Sequence, residues 1–239
     1  MNGFKDVELI ILAKKALDNI GYTKPVELYI PYLLGGRSDR LFVEGGVRYI
    51  KDVIAPIINS LGFSKVTTLD PHSDVMENVI DRMEKTTFSS IFIQQFVERF
   101  SNPFNFTLVA PDAGASKKIF DIAKSLNTDR IVVCGKHRDV KTGKILETIA
   151  PSVNETKNLV VCDDICDGGR TFVEIAKAFK AKGYAGDMHL FVTHGIFSSA
   201  SGYHSLCEHY SSITTTNSIL ESLPKVQLYS CNVEQINIF

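Results

Sequence analysis

The chain has 239 residues, 44% of them hydrophobic and 22% charged, with a formal net charge of −1. That length holds a sizeable core in one large or two small domains, and so balanced a charge excludes a global basic field that would recruit nucleic acid or an anionic membrane. No apolar run reaches a membrane span. The five cysteines show no CxxC pair and no metal-finger spacing, and their odd count, with no export signal, makes a reducing cytoplasm the expected compartment.

In chain order, Val7, Ile10, Ile11 and the Ala13–Leu17 stretch begin an amphipathic helix. The run "VELYIP" (26–31) reads as a strand, and Val47, Ile50, Ile54, Ile57 and Leu61 mark a second helix with a kink expected at Pro56. Further strands are expected at "KVTTLD" (65–70), "TLVAPD" (107–112), "RIVVCG" (130–135), "NLVVCDD" (158–164) and "MHLFVTHG" (188–195). Between them, Ile119, Ile122 and Ala123 mark one helix, and Phe172, Ile175, Ala176 and Phe179 another. Near-continuous hydrophobicity in the strands implies burial on both faces and a largely parallel sheet. Alternation of strand and helix implies an α/β fold with right-handed crossovers. The stretches "EKTTFSS" and "RFSNPFNF" interrupt this rhythm, so the expected division is an N-terminal lobe over residues 1–90 and a C-terminal lobe over 91–239, with the last 20 or so residues packing back on the N-terminal lobe.

Most strands end in polar or special residues: Pro31-Tyr32, Asp70-Pro71-His72, Pro111-Asp112, Gly135-Lys136, Asp163-Asp164 and Thr193-His194. Open parallel sheets bind ligands at the carboxyl ends of their strands. The segment "LVVCDDICDGGRT" (159–171) is the most informative of these ends. Gly168 and Gly169 let backbone approach a ligand, and a helix opening near Thr171 offers unpaired N–H groups to a phosphate. Asp163 and Asp164 carry the wrong charge for phosphate; they suit ribose hydroxyls or a metal ion. Acid for sugar and amides for phosphate together describe a ribose 5-phosphate site.

The same segment resembles the phosphoribosyl-diphosphate (PRPP) loop of type I phosphoribosyltransferases and ribose-phosphate pyrophosphokinases. Four further stretches resemble the pyrophosphokinases in particular: "IPYLLGGRSDR" (30–40), "LDPHSD" (69–74), "APDAGASKK" (110–118) and "THGIFS" (193–198). The resemblance runs from about Phe4 to the end and implies two phosphoribosyltransferase-like lobes, each a mostly parallel sheet flanked by helices. It implies attack by the C1 hydroxyl of a ribose 5-phosphate unit on the β-phosphorus of Mg-ATP, with diphosphate transferred and AMP released. Lys136 and Arg138 match the family's Lys-x-Arg at the root of a catalytic flap that would continue through Lys141, Thr142, Gly143 and Lys144. Asp163, Asp164, Asp167, Gly168, Gly169, Arg170 and Thr171 match the ribose-phosphate loop. Arg37 matches an ATP-phosphate contact with Asp39 shaping its segment, and His72 and Asp112 match the pair that holds ATP-bound Mg²⁺. His194 fits a role in positioning loops. The implied partners are ATP, ribose 5-phosphate and further copies of the chain, with no nucleic acid and no membrane.

Three departures qualify that resemblance. The family's opening strands, with a Phe-x-Asp-Gly-Glu segment that contacts adenine, have no counterpart, so a reduced N-terminal lobe is expected. Ser38 replaces a glutamine, and the loop reads Asp167-Gly168-Gly169-Arg170-Thr171 where the family has Asp-Thr-Gly-Gly-Thr. Gly168 opens space and Arg170 adds a cation with five donors, so a 5′-extended acceptor such as ADP-ribose is an alternative to ribose 5-phosphate. A phosphoribosyltransferase and a catalytically silent regulatory subunit are the remaining readings.

Overall fold

A computed structural model describes residues 3–41, 43–100, 105–138, 145–153, 156–224 and 231–238. The chain divides into two compact units, Met1–Thr87 and Phe88–Phe239.

The first unit opens with helix α1 (Phe4–Asn19) and strand β1 (Glu27–Ile30). A π-helical stretch, Ile50–Ile54, runs directly into helix α2 (Ala55–Ser60). Proline has no amide to give the carbonyl four residues back, and its ring crowds that carbonyl. The widened turn lies just upstream of Pro56, which then sits at the start of α2, where its missing donor costs least. Strands β2 (Lys65–Leu69) and β3 (Met83–Thr86) flank helix α3 (Val75–Val79). The three strands form a parallel sheet in the order β1-β2-β3. Val7, Ile30, Ile50, Ile54, Ile58 and Val66 lie together in a buried cluster.

The second unit holds helix α4 (Phe88–Arg99), strand β4 (Phe106–Ala110), helix α5 (Ser116–Ser125) and strand β5 (Ile131–Val133). An antiparallel hairpin follows, β6 (Gly135–Arg138) with β7 (Ile145–Ile149). Then come β8 (Asn158–Cys166), α6 (Arg170–Ala181), β9 (Asp187–Gly195), α7 (Ala200–His209), β10 (Ser212–Thr216) and β11 (Asn232–Ile236). Six strands make one parallel sheet in the order β11-β10-β9-β8-β4-β5.

Alternation along β8 explains the layering. Leu159 and Val161 join a core with Phe172, Ile175 and Phe179 of α6 and Leu206 of α7. Val160 and Cys162 face the other way, into a core with Phe92 and Phe96 of α4 and Ile119 and Ile122 of α5. Helices therefore cover both faces, as continuous apolar strands require. The stretch expected to break the strand rhythm is itself a helix: Phe88, Phe92 and Phe96 recur every fourth residue on α4 and are buried. Ring centroids of Phe96 and Phe191 stand 4.5 Å apart.

Residues Asn232–Ile236 pair with β10 inside the second unit's sheet, whereas the sequence reading set the last 20 or so residues against the N-terminal lobe. The reason lies in Arg99, which donates to Ser212 Oγ and Thr214 Oγ1 on β10 and reaches Glu234 Oε2 on β11 at 2.6 Å. All five cysteines are thiols outside any disulfide, and Cys134, Cys162, Cys166 and Cys207 are buried. Among the described residues no helix is long and apolar enough to cross a membrane.

Candidate active site

Strand order decides where ligand chemistry can gather. From β4 the chain moves outward to β5, then returns through the hairpin to β8 on the opposite side of β4 and continues outward to β9, β10 and β11. The sheet is thus built in opposite directions from β4 and β8. The crevice beyond the carboxyl ends of two such strands is where open α/β sheets bind ligands.

Asp112 lies two residues past β4. Its Oδ1 accepts the Gly114 amide at 3.0 Å, and its Oδ2 accepts Lys136 Nζ at 2.5 Å. Burial alone would push this carboxyl up, but the hydrogen bond and charge of Lys136, with the Ala115 and Gly114 amides, outweigh it and hold the pKa below the ordinary carboxylate value. The sequence reading set Lys136 just past a strand; it lies within β6, opposite Thr148 of β7. The backbone of Arg138 belongs to the same strand. Lys141, Thr142, Gly143 and Lys144 fall outside the described residues.

On the neighbouring strand, Asp164 follows Val160 and Cys162 toward the face covered by α5. Lys118, in the first turn of α5, reaches its Oδ1 at 3.5 Å. A lysine at a helix start opposes the dipole, and Asp164 is an anion that offsets Lys118 there. Asp163 turns to the other face, and its Oδ1 accepts the Asp164 amide at 2.9 Å. Burial and then the adjacent Asp164 charge push the Asp163 carboxyl well up, against the pull of Lys118.

The loop after β8 is shaped by its glycines. Gly169 has φ +79° and precedes the first residue of α6. A Cβ there would press on Leu206 at 3.0 Å. Gly168 is exposed, with no atom within 4 Å of where a Cβ would stand. Arg170 is exposed and Thr171 half-buried at the opening of α6. The 12-residue α6 turns its unpaired amides toward this loop. Asp167 is fixed from α7's side: Ser198 Oγ donates to its Oδ1 at 2.5 Å. Nearby, His194 is buried with Nδ1 2.8 Å from Ser218 Oγ.

In the first unit, Arg37 and His72 are exposed and Asp39 is buried. The Asp39 Oδ1 lies 3.8 Å from Arg40 Nε, while its Oδ2 has no hydrogen-bond partner. Of the pair that the resemblance assigns to Mg²⁺, His72 belongs to this unit and Asp112 to the other. Among the described residues no three His, Cys, Asp or Glu side chains converge as a metal cluster. The donor chemistry fits Mg²⁺ carried in on nucleotide phosphates, since that ion commonly takes one or two protein carboxylates and completes its shell with phosphate oxygens and water.

Within the second unit, then, Lys136 meets Asp112, Asp163 meets Asp164, and Asp167 to Thr171 form one turn. Lys118, at the start of a helix, meets Asp164 from 46 residues away. Ser198 and Gly202, which touch the loop from more than 30 residues away, carried no sequence signal of that contact.

No family model matches the chain. A ribose-phosphate pyrophosphokinase of Granulibacter bethesdensis is 28% identical over 221 residues, covering 91% of this chain and 68% of that protein. One from a Marinomonas species is 30% identical over 193 residues, covering 80% of this chain and 59% of that protein. The chain therefore spans about three fifths to two thirds of the length of these curated relatives. The fold matches a crystal structure of phosphoribosylpyrophosphate synthetase from Mycobacterium smegmatis with a TM-score of 0.80, at 18% identity, over 96% of this chain and 73% of that one. The chain is thus similar along most of its length to ribose-phosphate pyrophosphokinases in sequence, and to a phosphoribosylpyrophosphate synthetase in fold.

Proposed function

We propose that this chain transfers the β,γ-diphosphate of ATP to the C1 hydroxyl of ribose 5-phosphate, releasing AMP and a proton. The reading is carried by one observation: two charged pairs, Lys136–Asp112 and Lys118–Asp164, at the carboxyl ends of adjacent strands from which the sheet is built in opposite directions. Phosphoryl-type transfer asks for alignment and fixed positive charge more than for a covalent intermediate. Lys136 supplies that charge at a carboxylate it can exchange for a phosphate, with Arg138 as its partner on β6. Asp163 and Asp164 accept hydrogen bonds from the ribose hydroxyls. The Gly168-Gly169 turn, Arg170, Thr171 and the α6 amides take the 5′-phosphate, with Asp167 holding the turn. Arg37 and Asp39 belong to the ATP side. Asp112 is the second unit's residue that would hold Mg²⁺, whose contribution when bound is to neutralise the nucleotide phosphates.

A second acceptor has its own support. Gly168 faces open space and Arg170 is exposed beside it, which suits a 5′-diphosphate such as that of ADP-ribose. The test is to incubate the chain with Mg-ATP and either acceptor and to quantify AMP. AMP from ribose 5-phosphate supports the first reading, and AMP from ADP-ribose alone supports the second. No AMP from either, with ATP and both acceptors bound, leaves a regulatory subunit; AMP-free use of PRPP with a free base would make it a phosphoribosyltransferase. A cytoplasmic homo-oligomer is the expected assembly, which light scattering checks.

A further inference from the structure

The ribose-phosphate loop is held by a segment that follows the next strand. Ser198, between β9 and α7, donates its hydroxyl proton to Asp167 Oδ1 at 2.5 Å. Its neighbour Ser199 caps α7, accepting the Gly202 amide at 3.1 Å. Gly202 then lies so close to the loop that a Cβ would stand 2.0 Å from the Gly168 carbonyl oxygen. That oxygen is backbone and cannot swing aside as a side-chain end could. On its other side Gly169, at φ +79°, rests against Leu206 of the same helix. Three successive loop residues therefore take their positions from α7 and the turn before it. One contact is a hydrogen bond to a carboxylate and two are close approaches that need a missing Cβ.

We propose that Ser198 and Gly202 are positioning residues for acceptor recognition. Ser198 fixes the Asp167 carboxylate, and Gly202 lets the Gly168 carbonyl withdraw toward α7, which sets the aperture through which the 5′-phosphate meets the α6 amides. This rests on the functional reading above, so one readout is made without substrate.

In the free chain, amide hydrogen exchange of residues 167–171 is compared between the parent, Ser198→Ala and Ser198→Thr. Exchange rises in Ser198→Ala and returns toward the parent rate in Ser198→Thr, which keeps the hydroxyl. Unchanged exchange in Ser198→Ala, or no recovery in Ser198→Thr, overturns the positioning role whatever the activity. In the turnover assay, Ser198→Ala raises the KM for ribose 5-phosphate roughly tenfold, the loss expected for one bond to a charged group. The KM for ATP stays at the parent value. Gly202→Ala does the same, with the Tm recorded alongside; if it does not fold, Ser198→Ala alone decides. Equal changes in both KM values, or none, overturn the assignment to the acceptor. A parent chain that binds no ribose 5-phosphate by calorimetry, with the exchange result intact, refutes the function and spares the positioning.

Discussion

The Lys136 ammonium and the Asp112 carboxylate meet at 2.5 Å, joining the β6–β7 hairpin to the end of β4. A lysine held this way is parked on an anion that a phosphate can replace. Lys136→Ala should lower AMP release by a hundredfold or more, on the order of one removed electrostatic stabiliser. Because the pair is partly exposed, the stability change should stay within about 1 kcal/mol, as a thermal melt would report.

The same pair makes a pH prediction. The folded pKa of Asp112 is lowered, so its stabilising contribution is full above the unfolded carboxylate value of about 3.9 and is lost as pH falls through the lowered folded value. Asp112→Asn should flatten that part of the acid limb in a plot of Tm against pH.

Asp163 has the opposite sign. Burial first, then the Asp164 charge, raise its folded pKa, so stability is full below the ordinary carboxylate value and is lost as pH rises through the raised one. Asp163→Asn should melt at a higher temperature than the parent at neutral pH, with the difference vanishing in acid. It should also lose ribose 5-phosphate binding by calorimetry. A variant less stable than the parent at every pH would contradict this account.

His189 is a structural histidine on β9. Its Nδ1 lies 2.8 Å from Ser212 Oγ and its Nε2 3.1 Å from Asn158 Oδ1. Burial, then the Arg99 charge, lower its pKa from 6.5 to about 4. Holding it neutral costs stability as the unfolded state takes up protons, so stability falls between about 6.5 and about 4. His189→Gln should remove that slope in acid titrations followed by circular dichroism.

Gly169→Ala places a side chain at φ +79° against Leu206. The left-handed backbone alone costs about 1–2 kcal/mol, and the Leu206 contact adds to it. A lower denaturation midpoint is expected, with acceptor KM raised because the turn must shift.

Sequence reading reached furthest where one residue's environment follows from its neighbours in the chain. The runs at β1, β2, β4, β8 and β9 carry enough apolar and β-branched residues to be read as strands, and the polar residues that end them could be read directly. Strand β10 carries the same β-branched character as "SITTT", but its threonines look like surface. They are buried, and Thr216 Oγ1 donates to the Thr193 carbonyl at 2.6 Å. Helix α4 was obscured by the threonines before Phe88 and the serines that follow it. The Lys118–Asp164 and Ser198–Asp167 bonds join residues 46 and 31 positions apart. Such pairings follow from sheet order, which no local pattern encodes. The placement of β11 was missed for the same reason, since Arg99 and Glu234 are 135 residues apart.

The buried thiols give the chain an internal clock. Burial pushes the Cys134 thiol up to about 12 and raises that of Cys166 as well, so in the folded state neither sulfur offers a thiolate to an alkylating reagent. Labelling at these positions must wait until the sheet opens, and its rate then counts openings rather than thiol reactivity. Ligand that grips the loop after β8 should slow that clock, so unmodified protein can report occupancy of its own site without any assay of turnover.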